Sequence, residues 1–337
     1  MSNPRFGGWL LVLASLVLLL VACGNPSADS DFTTLRVVEV THSLFYAPQY
    51  VAIQQGFFEE EGIHLELTDG AGGDKTMAML LAGEADFVLV GAETGIYVTA
   101  RGAQDGVVGF AQLTQTDGTF LVSRQPLDSF NWNDLKGKTL LGQRKGGMPQ
   151  MVSEYVQRQN GLNPRQDLTL IQNVDFNNLG SAFAAGTGDF VQLFEPVASK
   201  MEQEGKGYVV ASFGEESGRL PYTIYLSKQR TIEKDPQLAE GFVRALYRGQ
   251  QWVDSHTPEE IADQVQPFFP DTDRTVIIQV LKRYQQQGAW ATDPIIDKEE
   301  YEHLLDVMEE GGELPARVPF DDVIDTDIAE KAVNSKP

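Results

Sequence analysis

The sequence predicts an α/β protein of two lobes joined by a hinge, with a helical tail at its C-terminal end. Three observations carry this reading. Short apolar runs alternate with helical patterns through residues 35–227, the alternation comes in two successive series that part near residue 118, and the remainder of the chain has helical periodicity with no strands of its own.

In the first series the runs 35–40, 63–68, 87–90 and 107–113 are rich in Val, Ile and Leu, as strands covered on both faces must be. Between them Pro48 opens a helix over 48–55 that Gly56 stops, a helix over 76–82 stops at Gly83, and one over 92–101 stops at Gly102. The β-α-β-α order predicts a parallel sheet with helices on both sides. The second series places strands at 120–123, 139–142, 168–173 and 190–194. Its helix over 150–160 has Met151, Val152, Tyr155 and Val156 on one face and ends at Gly161 and Pro164. A run at 208–213, a turn-forming segment at 214–221 and a strand-like run at 222–227 lead into tail helices at 236–255, 272–287 and 298–310. The apolar faces of the tail (Leu238, Phe242, Leu246; Val276, Val280, Tyr284; Tyr301, Leu304, Met308) need an existing lobe to cover them, and the first is expected to do so. The division that follows is residues 35–118 plus 218–337 for lobe 1 and 119–217 for lobe 2, with chain crossings near 113–120 and 212–222 acting as the hinge.

Ahead of this body, Arg5 and the apolar run 9–21, which holds a single Ser, read as an export signal, since the run is short of the roughly 20 residues of a membrane span. Cys23 is the sole cysteine and stands where bacterial lipoprotein signals are cut and acylated. Residues 1–22 are then the signal, Cys23 the lipidation site and 23–34 a flexible tether rich in Ser, Asp and Pro; a plain secretory signal or an uncleaved anchor is the alternative. The net charge of −22 becomes −23 once Arg5 is removed, with 25 basic side chains against 48 acidic ones. Such a chain repels nucleic acid and anionic membrane surfaces, so membrane attachment must come from lipid on Cys23. With no second cysteine there is no disulfide, and about 300 residues must hold together by core burial.

Ligands of open α/β sheets lie beyond the carboxyl ends of the strands, where helix N-termini offer free N–H groups. Four such ends are legible: His42, Ser43, Phe45 and Tyr46 after the first strand, 70–74 after the second, 91–94 after the third, and Gly146, Gly147 and Met148 before the second-lobe helix. Ser43 reads equally well as a turn or cap residue. The stretch 70–76 tempts a phosphate-loop reading that fails, because Lys75 does not directly follow the second glycine and Asp74 would oppose a phosphate. Gly72 and Gly73 instead allow close backbone approach to a small solute, or simply make a tight turn. Glu93 and Glu195, each just past a strand, would accept from an amine-like edge, or would serve a helix dipole. Phe45, Tyr46, Phe176, Phe194 and Tyr222 lie near the same edge, where core packing competes with stacking on a flat ring. The candidate pocket is Ser43, Tyr46, Gly72, Gly73, Glu93, Gly147, Glu195 and Tyr222, with no metal site, no catalytic residue and no cofactor. His42, His64, His256 and His303 lack metal-ligand spacing, and no nucleophile motif occurs.

Ala47-Pro48-Gln49-Tyr50-Val51-Ala52, Gly56-Phe57-Phe58 and Glu61-Gly62-Ile63 resemble the opening of the solute-binding proteins of nitrate, sulfonate and taurine ABC importers, a family that includes binders of thiamine pyrimidine precursors. Gly83-Glu84-Ala85-Asp86, Leu135-Lys136-Gly137-Lys138 and the turn at 186–189 continue the resemblance over nearly the whole body. It implies a periplasmic-binding-protein type II fold and an extracytoplasmic, lipid-anchored monomer that hands a small solute to an ABC permease and its ATPase. Carboxylates beside aromatics favour a thiamine pyrimidine precursor or similar amine-bearing heterocycle. An alkyl sulfonate, taurine or nitrate is the alternative, since backbone amides at several helix starts would hold an anion. The pyrimidine synthases that share the fold carry a cysteine-rich motif that this chain cannot reproduce, so an enzyme is not expected, and without repeats or low-complexity stalks neither is an adhesin.

Overall fold

The computed structural model describes residues 32–102 and 106–335. The signal segment, Cys23 and the tether up to residue 31 lie outside the described residues. The chain runs through β1 (Thr33–Glu39), β2 (Ile63–Asp69), β3 (Phe87–Gly91) and β4 (Val107–Thr114). It then crosses to β5 (Thr119–Ser123), β6 (Thr139–Leu141), β7 (Thr169–Ile171), β8 (Phe190–Phe194) and β9 (Tyr208–Ser212), and returns to β10 (Thr223–Lys228). Two five-stranded sheets result, in the orders β2-β1-β3-β10-β4 and β7-β6-β8-β5-β9.

Both sheets are mixed, where the alternation of elements predicted a parallel one. β1 pairs parallel with β2 and β3, while β10 is antiparallel to β3 and β4. In the second sheet β6 pairs parallel with β7 and β8, while β5 is antiparallel to β8 and β9. In each sheet the antiparallel strand is the one that has just arrived from the other. The reason lies in connection length. β4 ends at Thr114, at the carboxyl edge of the first sheet, and β5 begins at Thr119, a link too short to carry the chain to the far edge of the second sheet. The arriving strand therefore starts at the carboxyl edge and runs back through its new sheet. The inside strands β3, β5 and β10 are buried along their length, and so is the edge strand β4, which the tail covers through a bridge between Gly109 and Ile324, whereas the edge strands β2, β7 and β9 alternate or are partly exposed.

The two crossings run side by side. Tyr222 N donates to Thr114 O (3.1 Å) and Leu220 N to Gln115 O (2.9 Å). From the tail, Tyr284 Oη donates to Gly118 O (3.1 Å) and Gln287 Nε2 to Asp117 O (2.5 Å). The 214–221 segment, expected as a turn, begins inside a short helix, Phe213–Ser217, because the Ser212 side chain caps it by accepting from Glu215 N (3.1 Å).

The tail reaches further than the first sheet. Pro236–Ser255 crosses Ala47–Gln54 so closely that a Cβ on Gly249 would stand 2.4 Å from Pro48 O. Lys298–Gly311, however, packs along Met148–Gln159, a helix of the second sheet, with Gly311 against the Met151 side chain and His303 edge-on to Tyr155 at 5.5 Å. A further helix, Pro258–Val265, was legible in Thr257-Pro258-Glu259-Glu260, where Thr257 and Glu260 cap each other's backbone N–H groups.

Candidate functional site

A cavity of about 610 Å3 lies where the carboxyl ends of the two sheets face each other. The first sheet contributes Val40 and Tyr46 after β1, Gly72 and Gly73 after β2, Glu93, Thr94 and Tyr97 after β3, and Tyr222 and Thr223 at the start of β10. From the second sheet come Arg144 to Met148 after β6, Phe176 after β7 and Phe194 at the end of β8. Gly72 has φ +122°, which only glycine adopts without strain, so the loop can turn its backbone to the cavity just before the Gly73–Ala82 helix.

Glu93 opens the Glu93–Ala100 helix and is only 5% exposed. Its Oε1 accepts from Met148 N at 3.2 Å, so a carboxylate from the first sheet's side sits at the N-terminus of the second sheet's Met148–Gln159 helix, as the helix dipole favours. Its Oε2 is buried and has no hydrogen-bond partner among the described residues. Burial pushes the Glu93 carboxyl up to about 7, against the opposing pull of its own and the Met148 N–H groups. Gly91 makes the room, because a Cβ there would lie 2.0 Å from Glu93 Oε2. Tyr97, one turn further along the same helix face, donates from Oη to Gly146 O at 3.2 Å across the cleft.

Tyr222 is 2% exposed and its Oη has no partner of normal hydrogen-bond geometry, although the Asp117 carboxyl lies nearby. Burial, reinforced by the charge of Asp117, drives its phenol well above the usual range, and burial likewise drives up Tyr46, so both stay neutral. Phe45 stands behind the wall, 5.7 Å from the rings of both Tyr46 and Tyr222, and Phe176 and Phe194 meet at 5.3 Å on the other side. Three cations, Arg101, Arg144 and Lys145, also line the cavity.

The structure thus brings together Tyr46, Gly72, Gly73, Glu93, Gly147 and Tyr222 of the residues expected at the site, and leaves Ser43 and Glu195 out of the cavity wall. Ser43 caps the Leu44–Tyr46 turn by accepting from Phe45 N (3.2 Å). Glu195 is saturated: Oε1 accepts from Arg283 Nη1 (2.8 Å) and Ser199 Oγ (2.9 Å), and Oε2 from Ser199 N (2.8 Å). The cation that claims it comes from a tail helix, which no local pattern around residue 195 announces. His42 also points elsewhere, bonding the buried Glu39 carboxylate (2.8 Å), which Tyr50 and Gln49 share. Sequence reasoning missed Tyr97, legible at four residues from Glu93, and Arg144 and Lys145, which directly precede the flagged Gly146-Gly147 pair.

A family model described as NMT1/THI5 like matches residues 45–261. A protein of Bacillus subtilis (strain 168) named "Putative binding protein YtlA" is 50% identical over 320 residues, spanning 95% of this chain and 96% of that one. Among solved structures, the alkanesulfonate-binding protein SsuA from Xanthomonas axonopodis pv. citri, bound to MOPS, matches with a TM-score of 0.70 and 18% identity over 87% of this chain and 98% of that one. The periplasmic nitrate-binding protein NrtA from Synechocystis PCC 6803 gives a TM-score of 0.69 and 18% identity over 90% and 89%. At that identity the likeness establishes the fold: the type II periplasmic-binding-protein architecture, with its hinge and helical tail.

Proposed function

The chain belongs to the NMT1/THI5-like family, and from that premise we propose that it is the lipid-anchored solute-binding component of an ABC importer, whose two lobes close over a flat, amine-bearing heterocycle such as a thiamine pyrimidine precursor. The observation that carries the solute class is Glu93 Oε2, a buried carboxylate oxygen in the cavity wall with no donor among the described residues. A buried acceptor without a donor is costly, and an amine or amidine-like edge removes that cost through a charge-assisted bond worth about 2 kcal/mol. Tyr46, Phe176, Phe194 and Tyr222 give the ring a flat aromatic setting, and Gly72 and Gly73 keep the backbone low enough for close approach. A nitrate or sulfonate seated at the Met148 N–H group would have to displace the Glu93 carboxylate that already accepts from it.

Lipid on Cys23 holds the protein to the outer face of the cell membrane, as a monomer that delivers its solute to the permease and ATPase. A thermal-shift panel of an aminopyrimidine, taurine, an alkyl sulfonate and nitrate tests the solute class; stabilisation by the aminopyrimidine is expected, and stabilisation by the sulfonate or nitrate alone would overturn it. Metabolic labelling with a fatty acid, with Cys23→Ala as the comparison, tests the anchor, since equal labelling of both proteins contradicts it.

A further inference from the structure

Arg144 behaves unlike the other well-placed arginines of the molecule. Arg36, Arg244, Arg274 and Arg283 all donate charge-assisted hydrogen bonds to carboxylates. Arg144 lines the cavity and stands between two carboxylates, yet approaches Asp74 only to 3.9 Å and Asp175 only to 3.7 Å, beyond hydrogen-bond distance for both. Those carboxylates are 71% and 75% exposed, so water satisfies them and screens their hold on the guanidinium. Beside it, Lys145 lines the cavity too, turned towards Glu313 of the tail at 3.5 Å. Gly72, with no side chain, leaves the guanidinium accessible from the first sheet's side, where even a Cβ would stand 3.7 Å from Nη2. In a chain with a net charge of −22, adjacent cations in a cavity wall are not a consequence of composition.

We propose that the solute is dipolar: besides the donor edge that meets Glu93, it carries an anionic, oxygen-rich group, a phosphate, sulfonate or carboxylate, which Arg144 binds through its planar fork with Lys145 beside it. This rests on the reading of Glu93 given above and extends it to a second part of the same wall. The Glu93 carboxylate keeps such an anion away from the Met148 helix start and turns the acidic group towards the adjacent Arg144 and Lys145.

Titration calorimetry with an aminopyrimidine alcohol, its phosphate ester, and the matching carboxylate and sulfonate decides the matter, each at low and high salt. The best acidic form is expected to bind about tenfold more tightly than the alcohol at low salt, with the ratio shrinking as salt screens a half-exposed guanidinium. Arg144→Gln should bring the ratio close to one, and Arg144→Lys should keep an intermediate value, with melting curves confirming that both variants fold. Which acid gains most identifies the group. An alcohol that binds as tightly as every acidic form, or a ratio that Arg144→Gln leaves intact, overturns this inference and leaves the amine-binding reading standing. Binding of none of the aminopyrimidines overturns both.

Discussion

β3 and β8 hold the same place in their sheets, third in the orders β2-β1-β3-β10-β4 and β7-β6-β8-β5-β9, and each is followed within two residues by a buried glutamate. The two carboxylates have opposite fates. Glu195 receives Arg283 from a helix 88 residues away, together with the N–H and Oγ of Ser199, and neither of its oxygens is left over. Glu93 accepts from Met148 N, and its second oxygen is left without a donor. Both are pushed up by burial, but at Glu195 the guanidinium pulls the other way. What a buried carboxylate does is therefore set less by the turn that carries it than by whether the rest of the chain brings it a cation.

The sharpest way to break this comparison is to take the cation away. Arg283→Ala leaves a fully buried carboxylate without its cation and also removes the ion-pair partner of Glu202, so unfolding in urea should show a loss of about 4 kcal/mol. A loss below about 1 kcal/mol, the usual worth of a surface pair, would mean that Glu195 relaxes to solvent and that the two turns differ less than their geometry says. Next in size is the pH dependence of Glu93. Its carboxyl rises from 4.5 to about 7 on folding, so the folded state holds the proton more tightly than the unfolded one. The stabilisation is fully present below pH 4.5, falls as the pH climbs, and is gone above about pH 7. Stability of the wild type relative to Glu93→Gln should therefore decline by about 3 kcal/mol across that window. A flat difference would place Glu93 in a wetter setting than its burial implies.

The contrast also marks where sequence reasoning stops. Strand positions, the Pro236–Ser255 helix and the carboxyl-end loops were legible because glycine and proline punctuation and buried apolar runs are local signals. The antiparallel β5 and β10 followed from nothing local, although the brevity of the 114–119 link, which leaves no chain to reach the far edge of the second sheet, bears on the first. The loops after β1, β2, β3 and β6 line the cavity as the carboxyl-end rule expects, yet by local signals Glu195 looked the better candidate of the two glutamates. Only the tail fold, which puts Arg283 against the second sheet, separates them. The same tail, through Lys298–Gly311, lies on the second-sheet helix as well, a contact that periodicity cannot assign to one partner or another.

For ligand binding the comparison predicts an asymmetry. Glu93→Gln replaces one acceptor oxygen by a donor and removes the charge, so affinity for an aminopyrimidine should fall by about 2 kcal/mol, about thirtyfold, by calorimetry. Glu195→Gln should alter the melting temperature while leaving the preference among amine, sulfonate and nitrate solutes as it was. Reversal of these roles would assign the solute's amine to Glu195 and make Glu93 the structural cap.

The smallest expected effect concerns closure. On the Glu93 side, the sheets are bridged by Met148 N to Glu93 and by Tyr97 Oη to Gly146 O at 3.2 Å, while on the Glu195 side Ser43 Oγ reaches Glu195 O only at 3.5 Å. Tyr97→Phe deletes one of the tighter bridges without touching the Glu93 acceptor, and the net worth of such a bond is about 1 kcal/mol. Because the lost bond exists only while the lobes meet, its removal lowers the fraction of molecules competent to hold solute, and apparent affinity falls by the same factor for every solute, about fivefold. Selectivity should be unchanged. Small-angle scattering should still show compaction on binding, but at a proportionately higher solute concentration. A Tyr97→Phe variant that changed the order of preference among solutes would instead place the phenol against the ligand, and one that bound as tightly as the wild type would leave the Glu93 bridge as the contact that closes this side of the cleft.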